Sequence, residues 1–200
     1  DLDGDGKISN GTNKLGDTGD YRIIGNSTPR FKYGITLDAA WKGFDFSIFM
    51  QGVGKRDLWL DGCYFWGANG QGNEWQSTGF TEHWDFFRPE GDPLGANLDA
   101  YYPRVNFSGG RNTQVQTRYL QNGAYLRLKN VQLGYTLPRV WTEKAGISSV
   151  RVYLSGDNLA TITSLSKIFD PEATGSLAGT GSGKLYPLQR VISVGVNINF

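Results

Sequence analysis

The sequence predicts an all-β fold, made of about five antiparallel C-terminal strands of a large transmembrane β-barrel with long extracellular loops. Three observations support this prediction. Apolar and polar residues alternate with a period of two in five runs. The runs are about ten residues long, which exceeds the usual strand of a soluble protein and suits a tilted strand that crosses a bilayer. Short and long connections alternate, as in outer-membrane barrels.

The first two runs form a predicted hairpin over residues 30–53. Apolar residues occupy the odd positions from Phe31 to Trp41 and then mainly the even positions from Phe44 to Met50. The link Trp41-Lys42-Gly43 is short enough for a tight turn. In this topology residues 1–29, which precede the hairpin, form an extracellular loop.

A second hairpin is predicted over residues 117–160. Its first strand alternates through Leu126 and Leu128, and the apolar phase then slips to Val131 and Leu133. A slip within one run indicates an inserted bulge residue. Residues 54–116 and 161–187 are predicted to be extracellular loops, because they are long, polar and rich in glycine.

The last run, over residues 188–200, predicts a terminal strand that ends on Phe200. Five strands cannot close a barrel, and a bilayer does not tolerate open sheet edges, so further strands must come from outside this chain. One face of the sheet is predicted to line the lumen through polar residues that include Arg30, Lys32, Asp38, Asp45, Arg151 and Asp157. The apolar face is predicted to meet lipid, with Trp41, Tyr135 and Phe200 near the periplasmic interface.

Composition excludes several classes of function. The net charge of +1 gives no electrostatic reason to expect nucleic acid as a partner. Cys63 is the single cysteine and His83 the single histidine, so the chain carries no internal disulfide and no multi-histidine metal site. We find no catalytic motif and predict that the protein is not an enzyme. We expect the chain to be an internal or C-terminal piece of a longer protein, since it begins without methionine or a signal peptide.

The acidic N-terminal stretch predicts a calcium site. Carboxylates alternate with other residues up to a glycine, as in the first half of a calcium loop, but Thr12 stands where an EF-hand has glutamate. The candidate ligands are Asp1, Asp3, Asp5, Lys7 through its backbone carbonyl, Asp17 and Asp20. The alternative is a solvated acidic turn.

The loop over residues 54–116 is unusually rich in aromatic residues. This density argues against disorder and suits stacking on sugars or gripping a peptide. The candidates for substrate or partner contact are Trp59, Trp66, Trp75 and Trp84. The same rings could instead form the core of the loop itself. His83 is expected to be packed or solvated rather than catalytic, and Cys63 to be structural.

A series of sequence blocks runs along almost the whole chain. They are Asp3-Gly4-Asp5-Gly6-Lys7-Ile8, Ile24-Gly25-Asn26, Pro29-Arg30-Phe31, Trp41-Lys42-Gly43-Phe44-Asp45, Gln51-Gly52-Val53-Gly54, Tyr102-Pro103-Arg104, residues 123–135, residues 151–159, Asp170-Pro171-Glu172 and Tyr186-Pro187-Leu188. In this order the blocks resemble the C-terminal region of SusC/RagA-type TonB-dependent outer-membrane transporters.

The resemblance implies a segment of a barrel that imports oligosaccharides or peptides across the outer membrane of a Gram-negative, Bacteroidota-like bacterium. It also implies a SusD-like surface lipoprotein as the lid, and the TonB complex as the energy source, reached through parts of the protein outside this chain. The final strand looks like the signal that the barrel-assembly machinery reads. The residues of that signal are Ile192, Val194, Val196, Ile198 and Phe200.

A different class of protein fits part of the same pattern. A soluble, secreted β-sandwich that binds carbohydrate with calcium would also alternate apolar and polar residues, because its apolar face fills a core. The two predictions differ in their behaviour in solution. The barrel segment requires detergent or a bilayer, whereas the sandwich dissolves freely.

Overall fold

The computed structural model describes residues 1–70, 79–108, 110–173 and 185–200. Its main element is a five-stranded antiparallel sheet with the strand order β1-β2-β5-β6-β7. These strands are β1 (Phe31–Trp41), β2 (Phe44–Lys55), β5 (Tyr125–Thr136), β6 (Ser149–Thr163) and β7 (Val191–Asn199). The all-β prediction is therefore confirmed.

Short elements fill the connections. Strands β3 (Asp57–Leu58) and β4 (Gln121–Asn122) pair with each other as a small second sheet. Helices α1 (Cys63–Trp66) and α2 (Arg139–Thr142) have one turn each. Single 3-10 turns lie at Thr81–Trp84, Thr117–Tyr119 and Glu143–Ala145. Within the described residues, no helix has the length and apolar character needed to cross a bilayer.

The first predicted hairpin is confirmed almost residue for residue. Strand β1 pairs with β2 from Trp41↔Phe44 onwards, and Lys42 and Gly43 form the turn. Both turn residues have positive φ, 46° and 88°, which is the backbone twist that a two-residue hairpin requires. Strand β2 continues to Lys55, two residues beyond the predicted end.

The predicted bulge is confirmed in β5. Asn130 pairs with Phe49 and Leu128 pairs with Met50, so Lys129 is the inserted residue. The neighbouring strand β6 is also irregular at this level, where Asp157 pairs with Asn130 and Ala160 with Leu128. The start of the second hairpin was predicted at Thr117 and is wrong, since β5 begins at Tyr125. Residues 117–122 form the 3-10 turn and β4 instead.

The sheet has one apolar and one largely polar face, because directly paired residues point to the same side. The apolar face carries Tyr33, Ile35, Leu37, Phe46, Ile48, Met50, Leu126, Leu128, Val131, Leu133, Val152, Leu154, Ile192, Val194, Val196 and Ile198. The opposite face carries Lys32, Thr36, Asp38, Asp45, Ser47, Gln51, Arg127, Asn130, Gln132, Arg151, Ser155, Asp157, Thr161, Ser193 and Asn197, with Phe49 and Tyr153 among them. The predicted polar residues Lys32, Asp38, Asp45, Arg151 and Asp157 thus share one face. Arg30, also predicted for this face, precedes β1, and its guanidinium lies instead beside the ring of Phe31.

The apolar face is not covered by any described part of the chain. Leu154 is 50% exposed and Val194 75% exposed. The fully buried side chains lie instead in the connections, where Leu60, Phe65 and Trp66 are at most 1% exposed. The sheet therefore has no hydrophobic core of its own among the described residues, and the connections do.

Candidate functional site

The connection from β2 to β5 and the one after β6 pack into one unit. We call residues 57–70, 79–108, 110–122 and 164–173 the loop cap. Its core consists of Leu58, Leu60, Phe65, Trp66, Tyr102, Tyr119, Leu165 and Phe169. Aromatic edges meet faces throughout, with ring centroids 5.0 Å apart for Phe65 and Trp66 and 4.8 Å apart for Trp66 and Tyr119. Such pairs add stability beyond the area that they bury.

The candidate tryptophans have different environments. Trp66 is 1% exposed, so its predicted contact with a substrate or partner is wrong: the ring is enclosed by the core of the loop cap. Trp59 packs against it, with centroids 5.9 Å apart. Trp84 is 61% exposed and lies under the guanidinium of Arg88. Trp75 lies outside the described residues. Among the three candidates that the structure describes, Trp84 is thus the most exposed and is free to contact a ligand.

His83 is packed as part of the loop cap. Its Nδ1 accepts the backbone N–H of Phe80 at 2.9 Å, and its Nε2 lies 3.0 Å from the carbonyl oxygen of Phe65. This arrangement fits a neutral ring that donates from Nε2. Burial lowers the pKa of His83, although the carbonyls and Glu82 oppose the shift. Cys63 is buried and free.

Two ion pairs join the loop cap to the polar face of the sheet. Arg127 on β5 donates to the carboxylate of Asp170 at 2.7 Å, and the ammonium of Lys129 lies 2.6 Å from Glu172. Arg127 also lies 3.5 Å from Glu172 and donates to the hydroxyl of Thr161 on β6. The side chains of Arg127 and Asp170 are only 5% and 9% exposed, so this junction is largely shielded from water.

Asp170 also bridges two parts of the connection between β6 and β7, in which it lies. Its carboxylate accepts the backbone N–H groups of Glu172 at 2.9 Å and of Leu188 at 3.0 Å, on opposite sides of the connection. Burial alone would raise the pKa of this carboxyl, but the hydrogen bond from Arg127 and the two N–H donors lower it overall. Asp170 is therefore held as a carboxylate. It links Arg127 on β5 to two points of the connection between β6 and β7, Glu172 and Leu188.

A second polar network lies on the same face nearer the Lys42–Gly43 turn. Arg151 pairs with Asp45, although one strand lies between them, and also donates to Gln132 at 3.1 Å. The intervening residue is Gly134, where a Cβ atom would lie 2.5 Å from both partners. Glycine is required there because the ion pair crosses directly over its backbone.

An open cleft of about 440 Å³ lies within the loop cap. Its walls combine aromatic rings with carboxylate, amide and hydroxyl groups. They are formed by Phe65, Glu82, Asp85, Tyr101, Tyr102, Gln121, Ser164 and Ser166. Several of these groups are fixed by other contacts, since Ser166 donates to Glu82 at 2.6 Å and Gln121 donates to Tyr101 at 2.9 Å. The cleft can hold a small polar group against flat rings.

The acidic N-terminal stretch assembles part of the predicted calcium site. Asp1, Asp3 and Asp20 offer carboxylate oxygens within 4.8 Å of one another. Asp5 and Asp17 are not in this group. The carboxylate of Asp5 accepts the N–H of Lys7, and that of Asp17 accepts the N–H and the hydroxyl of Thr12. The N–H groups of Ser9 and Leu2 lower the pKa of Asp20, which favours its charged form. The carboxylates fit a hard cation.

Comparison with known proteins finds curated relatives along the whole chain. No family model matches the chain. TonB-dependent receptor P3 from Formosa agariphila is 33% identical over 210 residues, and TonB-dependent receptor P26 from the same organism is 28% identical. Both alignments cover 100% of this chain. The chain is similar to a segment of these TonB-dependent receptors. It spans 18% of the length of P3 and 19% of P26.

Solved structures show the same similarity. The chain matches the structure of the RagAB peptide transporter with a TM-score of 0.66 and 29% identity, over 90% of this chain and 18% of that chain. The RagAB peptide importer in the open-open state gives a TM-score of 0.65 over 92% of this chain. The resemblance to the SusC/RagA type is thereby confirmed. These relatives are receptors and transporters, in agreement with the prediction of a non-enzyme.

The ion pairs between β5 and the loop cap were not predicted, although the sequence contains a signal for them. Arg127 and Lys129 stand two positions apart on one side of β5, and Asp170 and Glu172 have the same spacing and opposite charge. Both pairs lie in blocks that carry the family resemblance. A search for complementary charges with equal spacing would therefore have suggested the contact.

Proposed function

We propose that the chain forms part of an outer-membrane, TonB-dependent importer of the SusC type. In this proposal the five strands are a section of the barrel wall, with the apolar face toward lipid and the polar face toward the lumen. The loop cap lies at the outer mouth and narrows it. The observation that carries the proposal is a sheet with an uncovered apolar face whose opposite face is joined by buried ion pairs to a separately packed cap.

The dimensions of the sheet support a membrane-spanning wall. Strand β1 has 11 residues, which corresponds to a length of about 33 Å and, at the usual barrel tilt, to a height of about 25 Å. That height equals the apolar band of an outer-membrane barrel. Aromatic residues gather at the turn end, where Phe44 and Tyr135 stack with centroids 4.5 Å apart beside Trp41. We place this end at the periplasmic interface.

The orientation follows from the connections. Residues 42–43 and 137–148 are the short links and face the periplasm, while residues 1–29, 56–124 and 164–190 face the outside. The substrate is an oligosaccharide or a peptide, and the cleft bounded by Tyr101 and Tyr102 is the place in this chain suited to contact it. A SusD-like lipoprotein covers the mouth, and the TonB complex supplies energy through other parts of the protein.

The experiment that tests this proposal uses the full-length protein in its own bacterium. We expect it to fractionate with outer membranes, to need detergent for extraction and to migrate as a heat-modifiable barrel. Deletion of its gene should abolish uptake of one class of oligosaccharide or peptide, and a plasmid copy should restore it. Recovery in the soluble fraction without detergent would favour the β-sandwich and contradict the importer.

The terminal strand is proposed to be the assembly signal. Its outward apolar residues are exposed, and Phe200 is 90% exposed. We expect Phe200→Glu to reduce the level of heat-modifiable barrel in outer membranes several-fold, because the assembly machinery must pair with this strand. Asn199→Glu, one position earlier, serves as the control for added charge. Equal barrel levels in wild type and Phe200→Glu would contradict this role.

The acidic stretch is proposed to bind calcium through Asp1, Asp3 and Asp20, which the fold brings together. The full-length protein should bind Ca²⁺ in a calorimetric titration, and Asp20→Asn should weaken binding at least tenfold, because one charged ligand is lost. Asp17→Asn provides the control, since Asp17 is held by Thr12. Equal loss in both variants would contradict this ligand set.

A further inference from the structure

Each end of the β1–β2 hairpin carries a cation beside an aromatic ring. At the turn end, the ammonium of Lys42 lies 4.9 Å from the ring centroid of Trp41. At the other end, the guanidinium of Arg30 lies 5.6 Å from the ring centroid of Phe31. Phe31 and Trp41 bound the apolar face of β1, about 33 Å apart along the strand. The two cations therefore stand at the two edges of the apolar band.

The loop end has a second cation beside the first. Lys55 is the cross-strand partner of Phe31, and its carbonyl accepts the N–H of Arg30 at 2.8 Å. In the part of the chain that the structure describes, neither Arg30 nor Lys55 has a carboxylate within ion-pair distance. Two positive groups thus lie together at the loop end of the hairpin, and neither forms an ion pair within the described residues.

Arg30 and Lys55 line the same cleft, together with apolar residues. The cleft measures about 480 Å³ and is also lined by Ile23, Ile24 and Pro29. Asp57 lines it as well, but one of its oxygens accepts the N–H of Asn26 at 3.0 Å. The cleft therefore brings two cations and one carboxylate together with apolar side chains, so its net charge is positive. Arg30 connects it to the apolar face, because its guanidinium lies 5.6 Å from the ring centroid of Phe31, which is 58% exposed.

We propose that Arg30 and Lys55 bind the phosphate of a glycolipid headgroup in the outer leaflet. This inference rests on the proposed function, because it requires the apolar face to meet lipid and the loop end to face outward. A phosphate suits the site because guanidinium and ammonium groups bind it by charge-assisted hydrogen bonds. A lipid suits it because an acyl chain can continue from the cleft along the apolar face.

A lipid explains the site better than free phosphate does. Free phosphate would leave Ile23 and Ile24 in contact with water, whereas a lipid headgroup and the start of its chain would cover them. The position agrees as well, since headgroup phosphates lie just outside the hydrocarbon, at the level where Phe31 ends the apolar band. Anionic headgroups attract each nearby cation by an amount that corresponds to about fivefold in affinity.

The test titrates lipid A, a phosphorylated glycolipid, into the detergent-purified full-length protein and counts bound lipid by native mass spectrometry. We expect the double variant Arg30→Gln/Lys55→Gln to weaken binding about thirtyfold, since two such cations are lost. Arg30→Lys/Lys55→Arg should retain binding. Lys42→Gln is the matched control, because it removes a cation over an aromatic ring at the opposite end.

The outcomes separate the possible explanations. Binding that is unchanged in the double variant, or lowered equally by Lys42→Gln, overturns the proposal. Full competition by millimolar inorganic phosphate also overturns it, because the site would then serve free phosphate. If the double variant does not assemble, each single variant is titrated instead, and an unchanged affinity in both overturns the proposal. Absence of the wild-type protein from outer membranes is a different result, which contradicts the proposed importer itself.

Discussion

The sheet and the loop cap place their apolar side chains in opposite environments. On the sheet, Leu154 is 50% exposed on a face that no described residue covers. In the loop cap, Phe65 and Trp66 are each 1% exposed and are surrounded by other rings. A water-soluble protein reverses this order, with its core between sheets and its loops solvated. The difference supports the proposal that lipid covers the apolar face of the sheet, whereas the cap buries its own apolar groups.

The two regions also differ in how they use charge. The polar face of the sheet holds Arg151 and Asp45 in a partly exposed pair, while the junction with the cap holds Arg127 and Asp170 almost fully buried. Buried ion pairs add little net stability but are costly to break, and they fix geometry. The junction thus fixes where the cap sits on the wall, and the aromatic core fixes its internal structure.

The largest expected effect follows from emptying the core of the cap. Trp66→Ala should lower the stability of the cap by about 4 kcal/mol, because a fully buried ring is replaced by a cavity. Hydrogen exchange over residues 57–70 of the full-length protein measures this loss, while heat-modifiability reports the barrel. Trp84→Ala, at an exposed ring, should leave exchange nearly unchanged. If both variants lose protection equally, the cap has no independent core.

The next effect tests the junction. Asp170→Asn should cost about 3 kcal/mol in cap docking, since Arg127 would remain buried with only the more distant Glu172, at 3.5 Å, as its counter-charge. Exchange protection of residues 164–173 measures it. The double variant Arg127→Met/Asp170→Asn should recover part of the loss. Glu143→Gln is the matched control, because its pair with Arg139 is short at 2.6 Å but exposed, and exposed pairs contribute about 0–1 kcal/mol.

The third test contrasts the two faces of the sheet. Leu154→Lys should destabilise the barrel by about 2 kcal/mol, because it places a charge in the hydrocarbon near the middle of β6. Ser155→Lys, on the next residue and the polar face, should have little effect. Urea unfolding of the full-length protein in lipid vesicles measures both. Equal effects would mean that the two faces have the same surroundings.

The elements that could be predicted from the sequence are those set by local period. Strand β1 and the bulge at Lys129 were predictable because alternation with period two depends only on which face each residue occupies. The start of β5 was not, because residues 117–122 belong to the cap: Tyr119 lies in its core, and that long-range packing leaves no signal in the local period. Composition identified the aromatic connection without distinguishing buried Trp66 from exposed Trp84.

The candidate site was predictable only in part for the same reason. Alternation in β5 shows on which side of the strand Arg127 and Lys129 lie, but their partners Asp170 and Glu172 are each 43 residues away in sequence. The alternation of apolar and polar residues gives the side of a strand on which a residue lies. It does not show which connection folds back over that side. The clustering of Asp20 with Asp1 depended likewise on how residues 1–20 turn.

The smallest expected effect is a pH dependence confined to the cap. His83 accepts the N–H of Phe80 at Nδ1, so a proton on Nδ1 would place two donors against each other. Burial lowers the pKa of His83 below its ordinary value of 6.5. Glu82 opposes that shift, and the ring of Tyr102, whose hydroxyl stays protonated because burial raises its pKa, packs edge-on at 5.2 Å.

The sign of the effect follows from proton binding. Below pH 6.5 the unfolded segment takes up a proton on this histidine more readily than the folded cap does, so cap stability falls as the pH drops through that value and levels off below the lowered pKa.

Exchange protection of residues 79–85, corrected for the intrinsic pH dependence of exchange, should therefore decrease from pH 7.5 to pH 5. His83→Gln keeps a donor for the carbonyl of Phe65 without titrating, and its protection should stay constant with pH. The sheet should show no change over the same range, since the polar face of its described strands carries no histidine. A decrease of the same size in His83→Gln would assign the dependence to another group.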